Sequence, residues 1–385
     1  MKTPLAWLNL LHHRVRTAVA VAGVTFAIVL MFMQLGFLEA VRASATIIYD
    51  VLDFDACIRS ADYLHLADAR SFPRTRLYQA GGVSGVSKVV PFHVALATWR
   101  NPQNGEKRAI LTMGLHPEDE VFLDSRLRET TQRLLRGPQD VLIDSMTSQD
   151  FGPRDGRRFG EGDRGLEAEV GGQRVRIAGH FRRGAGFSAS GALLIHERGF
   201  FPVAIDHSPD RVTLGLIKLH PGANPQLVLQ ELRRELPDDV EVLSRRETLQ
   251  REIRRWVKET NYGLVFRTGV LVAIVVGTAI VYQVLSSEVT SLLPEYATLK
   301  AMGYRDRYLA GVVLQQAAAL ALVGFVPGMG ISAILYGITA AGAGIPIRFT
   351  WGNFLLVFGF SLGMCMVSGV LAVRKTFQAD PADLF

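Results

Sequence analysis

The residue types that most often carry chemistry are present in this chain but do not converge on a site. No Gly-x-x-x-x-Gly-Lys-Ser/Thr stretch occurs, so no loop of this kind can cradle a nucleotide phosphate. The glycine-rich stretch 152–165 brings Arg154, Arg157 and Arg158 together. It lacks the strand-to-helix context that phosphate binding needs, and it reads as a mobile surface loop. His12 and His13 are adjacent, point to different helix faces and have no third ligand nearby. Cys57 and Cys365 stand far apart, with no Cys-x-x-Cys or Cys/His cluster to suggest structural zinc. Ser, His and Asp can be combined in the middle of the chain, but no nucleophile elbow selects one set. No catalytic, cofactor-binding or metal-binding residues are expected.

One short segment does stand out, LLPEYATLKAMGYRDRYL at 292–309. Pro294 suits the first position of a helix, Glu295 its positive end, Lys300 its negative end, and Gly303 its stop. Asp306 can then cap the next helix. Tyr296, Leu299 and Met302 recur on one face of this two-turn helix and leave an apolar knob. Such a helix either dips into the lipid interface or docks a partner protein. The compact, doubly capped design is better explained by docking.

The elements around this segment are membrane spans. The chain has 385 residues, 49% of them apolar, and residues 17–33, 268–285, 309–338 and 349–373 carry no Asp, Glu, Lys or Arg. With flanking residues, each run can cross about 30 Å of hydrocarbon. That excludes a soluble cytoplasmic enzyme and a disordered or collagen-like chain. The first run, from Thr17 to Leu38, is too long for the apolar part of a cleaved signal. The expected fold is an α-helical integral membrane protein with four transmembrane helices. A large mixed α/β extracytoplasmic domain is expected between the first and second.

The expected order is an interfacial amphipathic helix at 1–16, a first span at 17–39, the outer domain at 40–262 and a second span at 263–285. A cytoplasmic segment at 286–308, spans at 309–338 and 351–373, a short outer loop at 339–350 and a tail at 374–385 complete it. Lys2, Arg14 and Arg16, then Lys300, Arg305 and Arg307, then Arg374 and Lys375 flank one side, whereas the short loop on the other has only Arg348. The positive-inside rule therefore places both termini in the cytoplasm. Thr3-Pro4 opens the first helix, with Leu5, Leu8, Leu11 or His12, and Val15 on one face and Trp7 as an interfacial anchor.

The net charge of +6 does not indicate nucleic-acid binding. Basic and acidic residues nearly balance in the outer segment, without a basic stripe and interleaved aromatics. The spans hold no acid that could relay protons, so energy for any transport must come from another subunit. Gly324 and Gly328, and Gly359 and Gly363, have small-xxx-small spacings that serve either packing within the chain or a dimer seam.

Within 40–262, Val86–Ala97 and Arg108–Met113 are β-rich and joined through Asn104-Gly105, a hairpin signal. A strand at Arg211–Leu219, a helix from Asn224-Pro225 to about Leu236, and a strand at Val240–Leu243 form a β-α-β unit. Short strands at Val141–Ile143, Glu167–Val170, Arg174–Ala178 and Ala192–Ile195, with Gly171-Gly172 as a turn, suggest an inserted β-rich subdomain at 138–205. Arg245–Asn261 reads as one charged helix leading into the second span.

The motif Glu295-x-Ala297-Thr298-Leu299-Lys300-Ala301-x-Gly303 resembles the loop between the second and third spans of FtsX/MacB-type permeases, specifically the DevC-like ABC exporter branch. The stretch VYQVLSSEVTSLLPEYATLKAMGY from Val281, VTLGLIKLHPGANP at 212–225 and the C-terminal ADPADLF extend the resemblance along the chain. The resemblance implies a non-catalytic permease of the bacterial inner membrane that pairs with a second copy of itself. It implies two copies of an ABC ATPase subunit, which bind the ATP and Mg. Because sixteen residues precede the first span, that ATPase is expected to be a separate chain. The remaining implied partners are a periplasmic membrane-fusion adaptor, a TolC-like outer-membrane channel and the lipid bilayer. Pro294, Glu295, Tyr296, Ala297, Leu299, Lys300, Met302 and Gly303 would form the ATPase-coupling helix. The implied function is export of a lipid-like or amphiphilic substrate, glycolipid in the founding system. The alternative is FtsX-like signalling to an outer-side enzyme without transport.

Overall fold

The computed structural model describes residues 14–66, 68–153, 157–184, 186, 189–259, 261–292, 298, 302–303, 305–343 and 347–377. The chain opens on α1 (Arg14–Thr46). A mixed segment follows with β1 (Ala56–Ser60), β2 (Phe72–Pro73), α2 (Thr75–Gly81), β3 (Val86–Arg100), β4 (Lys107–Leu115), α3 (Ser125–Leu134) and β5 (Asp140–Asp144). It continues through β6 (Glu167–Val170), β7 (Gln173–Phe181), β8 (Ala192–His196), α4 (Glu197–Val203), β9 (Arg211–Val212) and β10 (Leu214–Leu219). Then come α5 (Pro225–Glu235), β11 (Val240–Ser244), α6 (Arg245–Arg254) and a π-helical turn at Arg255–Glu259. Three long helices close the chain: α7 (Asn261–Ser291), α8 (Asp306–Ala343) and α9 (Trp351–Phe377). These elements form two units, a mixed domain within residues 41–260 and a helical unit from the flanking segments.

In the mixed domain, β11, β1, β10 and the first part of β3 lie in that order, each antiparallel to its neighbour. With α2 and α5 this is a split β-α-β-β-α-β arrangement. Leu77 and Ala80 of α2 and Val228, Leu229 and Leu232 of α5 pack with Ile58, Ile217 and Val242. Asn224 caps α5 by accepting from the Gln226 amide at 3.0 Å, with Pro225 at the first helical position. The expected β-α-β unit is present, but β1 lies between its two strands.

The second part of β3 leaves this sheet and begins a closed ring of six strands, β3–β4–β8–β5–β7–β6 and back to β3. Trp99 and Phe159 are buried among Ile110, Val141, Ile177, Leu193 and Phe200 inside it, and the Trp99 indole donates to the Phe151 carbonyl at 2.9 Å. The β6–β7 turn places Gly171 and Gly172 at φ +56° and +78°, the left-handed pair that a two-residue hairpin needs. The inserted β-rich subdomain expected at 138–205 therefore has no sheet of its own. It closes only with β3 and β4, through pairings that lie far apart in sequence. The stretch 152–165 is not a mere surface loop either: Phe159 is buried in the barrel, and Arg157 forks onto Asp163 at 2.9 and 3.1 Å.

In the helical unit, all four helices are long and apolar enough to cross a membrane, over Val15–Thr46, Gly263–Ser291, Arg307–Ala340 and Trp351–Arg374. A methyl group on Gly324 would lie 2.6 Å from Val24 Cγ1, and one on Gly328 2.7 Å from Ile28 Cγ2. Thr25 Oγ1 donates to the Gly324 carbonyl at 3.2 Å. This glycine pair therefore packs α8 against α1 of the same chain. Among the described residues, nothing lies within 4 Å of a Cβ built on Gly359 or Gly363, unlike the Gly324 and Gly328 pair. Ser368 Oγ ties α9 to α7 by donating to the Thr278 carbonyl at 2.8 Å.

Candidate functional site

The segment singled out by sequence follows α7 and precedes α8. Val289 and Leu292 of the first side meet Leu309 and Val313 of the second in a buried cluster, with Tyr308 and Val373 packed against it. The two ends of the segment are thus sealed together. Pro294, Glu295, Tyr296, Ala297, Leu299 and Lys300 lie outside the described residues, as does the amphipathic stretch before Arg14. Met302 donates from its amide to the Thr298 carbonyl at 3.1 Å, an i to i−4 bond. Gly303 follows at φ +93°, in the left-handed region that ends many helices. Among the described residues, a Cβ on Gly303 would meet nothing within 4 Å, so the constraint visible there is the backbone's. The Met302 side chain is 64% exposed and fills no core of this chain.

Beside the segment lies a polar contact that sequence reading missed. The uncharged stretch of the second span stops at Leu285, but its helix continues to Ser291 and carries Glu288. Glu288 is buried, and its Oε1 accepts from Gln316 Nε2 of α8 at 3.1 Å. Arg16 of α1 donates to Ser291 Oγ at 2.9 Å, and that hydroxyl donates to the Glu288 carbonyl at 2.8 Å. Glu288 therefore lies beyond the expected second span at 263–285, on the continuation of the same helix. The available signal was periodicity: Val281, Leu285, Glu288 and Leu292 are all buried and fall on one helical stripe. The neighbouring face of α7 forms a shallow groove of about 610 Å³ lined by Tyr282, Gln283, Ser286, Ser287, Thr290 and Ser291.

In the mixed domain, Glu197 at the start of α4 accepts from Arg74 Nη1 at 2.7 Å and contacts His93 Nε2 of β3 at 3.2 Å. The His93 hydrogen bond and the charge of Arg74 hold its carboxyl down at about 2, against burial. This tie joins the barrel to the segment before α2. Among the described residues, no three His, Cys, Asp or Glu side chains group to hold a metal ion.

Comparison with known proteins finds likenesses over two different parts of the chain. No curated protein matches the chain. The extracellular domain of the noncanonic ABC-type transporter YknZ from Gram-positive bacteria aligns with 50% of this chain and 99% of its own, at 15% identity and a TM-score of 0.33. The periplasmic region of MacB from Actinobacillus actinomycetemcomitans aligns with 54% and 95%, at 10% identity and a TM-score of 0.36. A domain of a putative permease protein from Porphyromonas gingivalis aligns with 49% and 91%, at 13% identity and a TM-score of 0.29. Residues 267–381 match the family described as FtsX-like permease C-terminal. That match spans most of α7, the segment 292–305, α8 and α9, about a third of the chain.

Proposed function

We propose that this chain is the permease subunit of an ATP-driven exporter of the FtsX/MacB type, in its DevC-like branch. The observation that carries the reading is the FtsX-like permease match over 267–381, which includes the segment at 292–305 between α7 and α8. In this reading Pro294, Glu295, Tyr296, Ala297, Leu299, Lys300, Met302 and Gly303 form a helix that seats in a groove of a separate ABC ATPase. That partner binds ATP and Mg and does the hydrolysis, and the permease is not an enzyme. The exposed Met302 side chain and the left-handed Gly303 support a short helix with a free apolar face.

The chain lies in the bacterial inner membrane with both termini cytoplasmic and the mixed domain in the periplasm. Two permease copies pair around a two-fold axis to match two ATPase copies. The polar groove of Tyr282, Gln283, Ser286, Ser287, Thr290 and Ser291 on α7 supports a seam there. ATPase-driven motion passes to the periplasmic domain, which works with a membrane-fusion adaptor and a TolC-like channel to export an amphiphilic, glycolipid-like substrate.

The test is reconstitution. The intact chain is purified from its own cells in lipid nanodiscs, and the proteins and lipids that accompany it are identified. An ABC ATPase at equal stoichiometry, together with an adaptor, is expected. A cell-wall hydrolase in place of the adaptor would replace export with signalling across the membrane, and a chain without any ATPase would overturn the proposal.

A further inference from the structure

Two segments of the mixed domain adjoin the long helices: residues 47–55 after α1, and α6 with its π turn before α7. Both are held by one buried polar cluster against β1. Arg245, at the start of α6, donates to the carbonyl oxygens of Leu52 at 2.7 Å and Tyr49 at 3.1 Å, and its guanidinium lies 4.7 Å over the Phe54 ring. Two turns later Glu252 is buried and accepts from Arg59 Nη1 of β1 at 3.0 Å. Arg59, also buried, donates through Nε to Glu241 of β11 at 3.2 Å and lies 4.3 Å over the Tyr63 ring. The Tyr49 and Tyr63 hydroxyls share a hydrogen bond of 2.7 Å, and Arg255 of the π turn donates to the Tyr63 carbonyl at 2.6 Å.

The arrangement leaves Glu252 poorly served as an anion. It shares its buried cation with Glu241, which also takes Arg251 at 2.8 Å, and among the described residues its Oε2 has no hydrogen-bond partner at bonding geometry, Tyr63 nearby being engaged with Tyr49. Burying a carboxylate on these terms favours the neutral acid. Burial raises Glu252 from 4.5 to about 7, against the opposing pull of Arg59, Tyr63 and Arg255. The other groups facing it do not compete. Burial pushes Tyr49 and Tyr63 well up and the Cys57 thiol up to about 12. His65, against Trp256 of the π turn, is held below its ordinary value by burial.

We propose that Glu252 is a proton-controlled latch that keeps α6 closed on β1 when protonated and loosens α6 when ionised. The sign follows from linkage. A closed state that raises the carboxyl binds its proton more tightly than an opened, hydrated one. Closure is therefore strongest below about 4.5 and weakens as pH rises toward about 7. This differs from an ordinary exposed ion pair, which strengthens as its carboxylate ionises. The latch concerns the chain itself and does not depend on the transport reading.

Hydrogen–deuterium exchange on the full chain in nanodiscs tests it, at about pH 5.5 and about pH 8, with labelling times scaled for the intrinsic chemistry. Residues 245–254 are expected to open on the order of 10-fold more often at the higher pH, while β5 keeps its protection. Glu252→Gln is expected to give equal opening at both values. His65→Asn is expected to leave the wild-type dependence intact. No pH dependence in the wild type, dependence retained in Glu252→Gln, or dependence lost in His65→Asn would each overturn the proposal.

Discussion

Gln316 of α8 donates to the buried Glu288 carboxylate of α7 across 3.1 Å, close to where both helices meet the segment between them. The pair fixes the register of α7 against α8 at the base of the proposed docking helix. Gln316→Leu strips the carboxylate of its partner and is expected to lower stability by about 1–2 kcal/mol, the range of buried interhelical hydrogen bonds. Glu288→Gln keeps an amide-to-amide contact and is expected to cost less. Thermal unfolding in one detergent compares them, and a larger loss from Glu288→Gln would mean that charge matters here, not the hydrogen bond.

Gly303 at φ +93° separates a backbone effect from a steric one, because among the described residues no atom lies within 4 Å of where its side chain would start. Gly303→Val is expected to cost on the order of 1–3 kcal/mol through strain, and Gly303→Asn much less, because Asn tolerates the left-handed region. ATP-driven activity at matched membrane levels should rank wild type, Asn, then Val. Equal loss in both variants would point to a contact made by the glycine surface itself.

The two glycine pairs should respond differently. Gly328→Leu must displace Ile28 and is expected to reduce the folded yield of the chain sharply. Gly363→Leu meets no such neighbour among the described residues and should leave the yield unchanged. If Gly363→Leu instead breaks a purified dimer while the monomer stays folded, that face is a seam between copies.

Acid should weaken the tie between the barrel and the segment before α2. His93 and Arg74 hold Glu197 down at about 2, so its contribution is present above its ordinary value near 4.5 and is lost as pH falls toward 2. The contribution is at most on the order of 3 kcal/mol. Denaturant unfolding of wild type at about pH 7 and about pH 3 should show a larger drop than in Glu197→Gln. An identical drop in both would remove Glu197 from the acid response.

Much of this was legible in sequence because the signals are local. Uncharged runs marked the four long helices, and Asn104-Gly105 marked the β3–β4 hairpin, where Gly105 takes φ +73°. Asn224-Pro225 marked the start of α5. The barrel was not legible, because the parallel pairs β4–β8 and β5–β7 join strands with no local cue to their partners. Phe159 is a lone aromatic in a Gly/Arg-rich stretch, so no periodicity revealed its burial. Glu288 was passed over because counting charges ended the span where its helix did not end. Arg245–Asn261 was read as one helix, and nothing in its composition signalled the π turn at Arg255–Glu259.

The central claim is that residues 294–303 dock the chain's energy source, and Leu299→Asp tests it most directly. A carboxylate at the centre of the apolar knob would be buried without a partner in an ATPase groove, at a cost of several kcal/mol. The measurement is ATPase co-purification with Leu299→Asp and wild type at equal membrane levels, with protease protection of the mixed domain as the folding control. The expected result is a folded permease that no longer carries its ATPase. Undiminished ATPase recovery with Leu299→Asp would contradict the claim and leave the helix as a lipid-interface element.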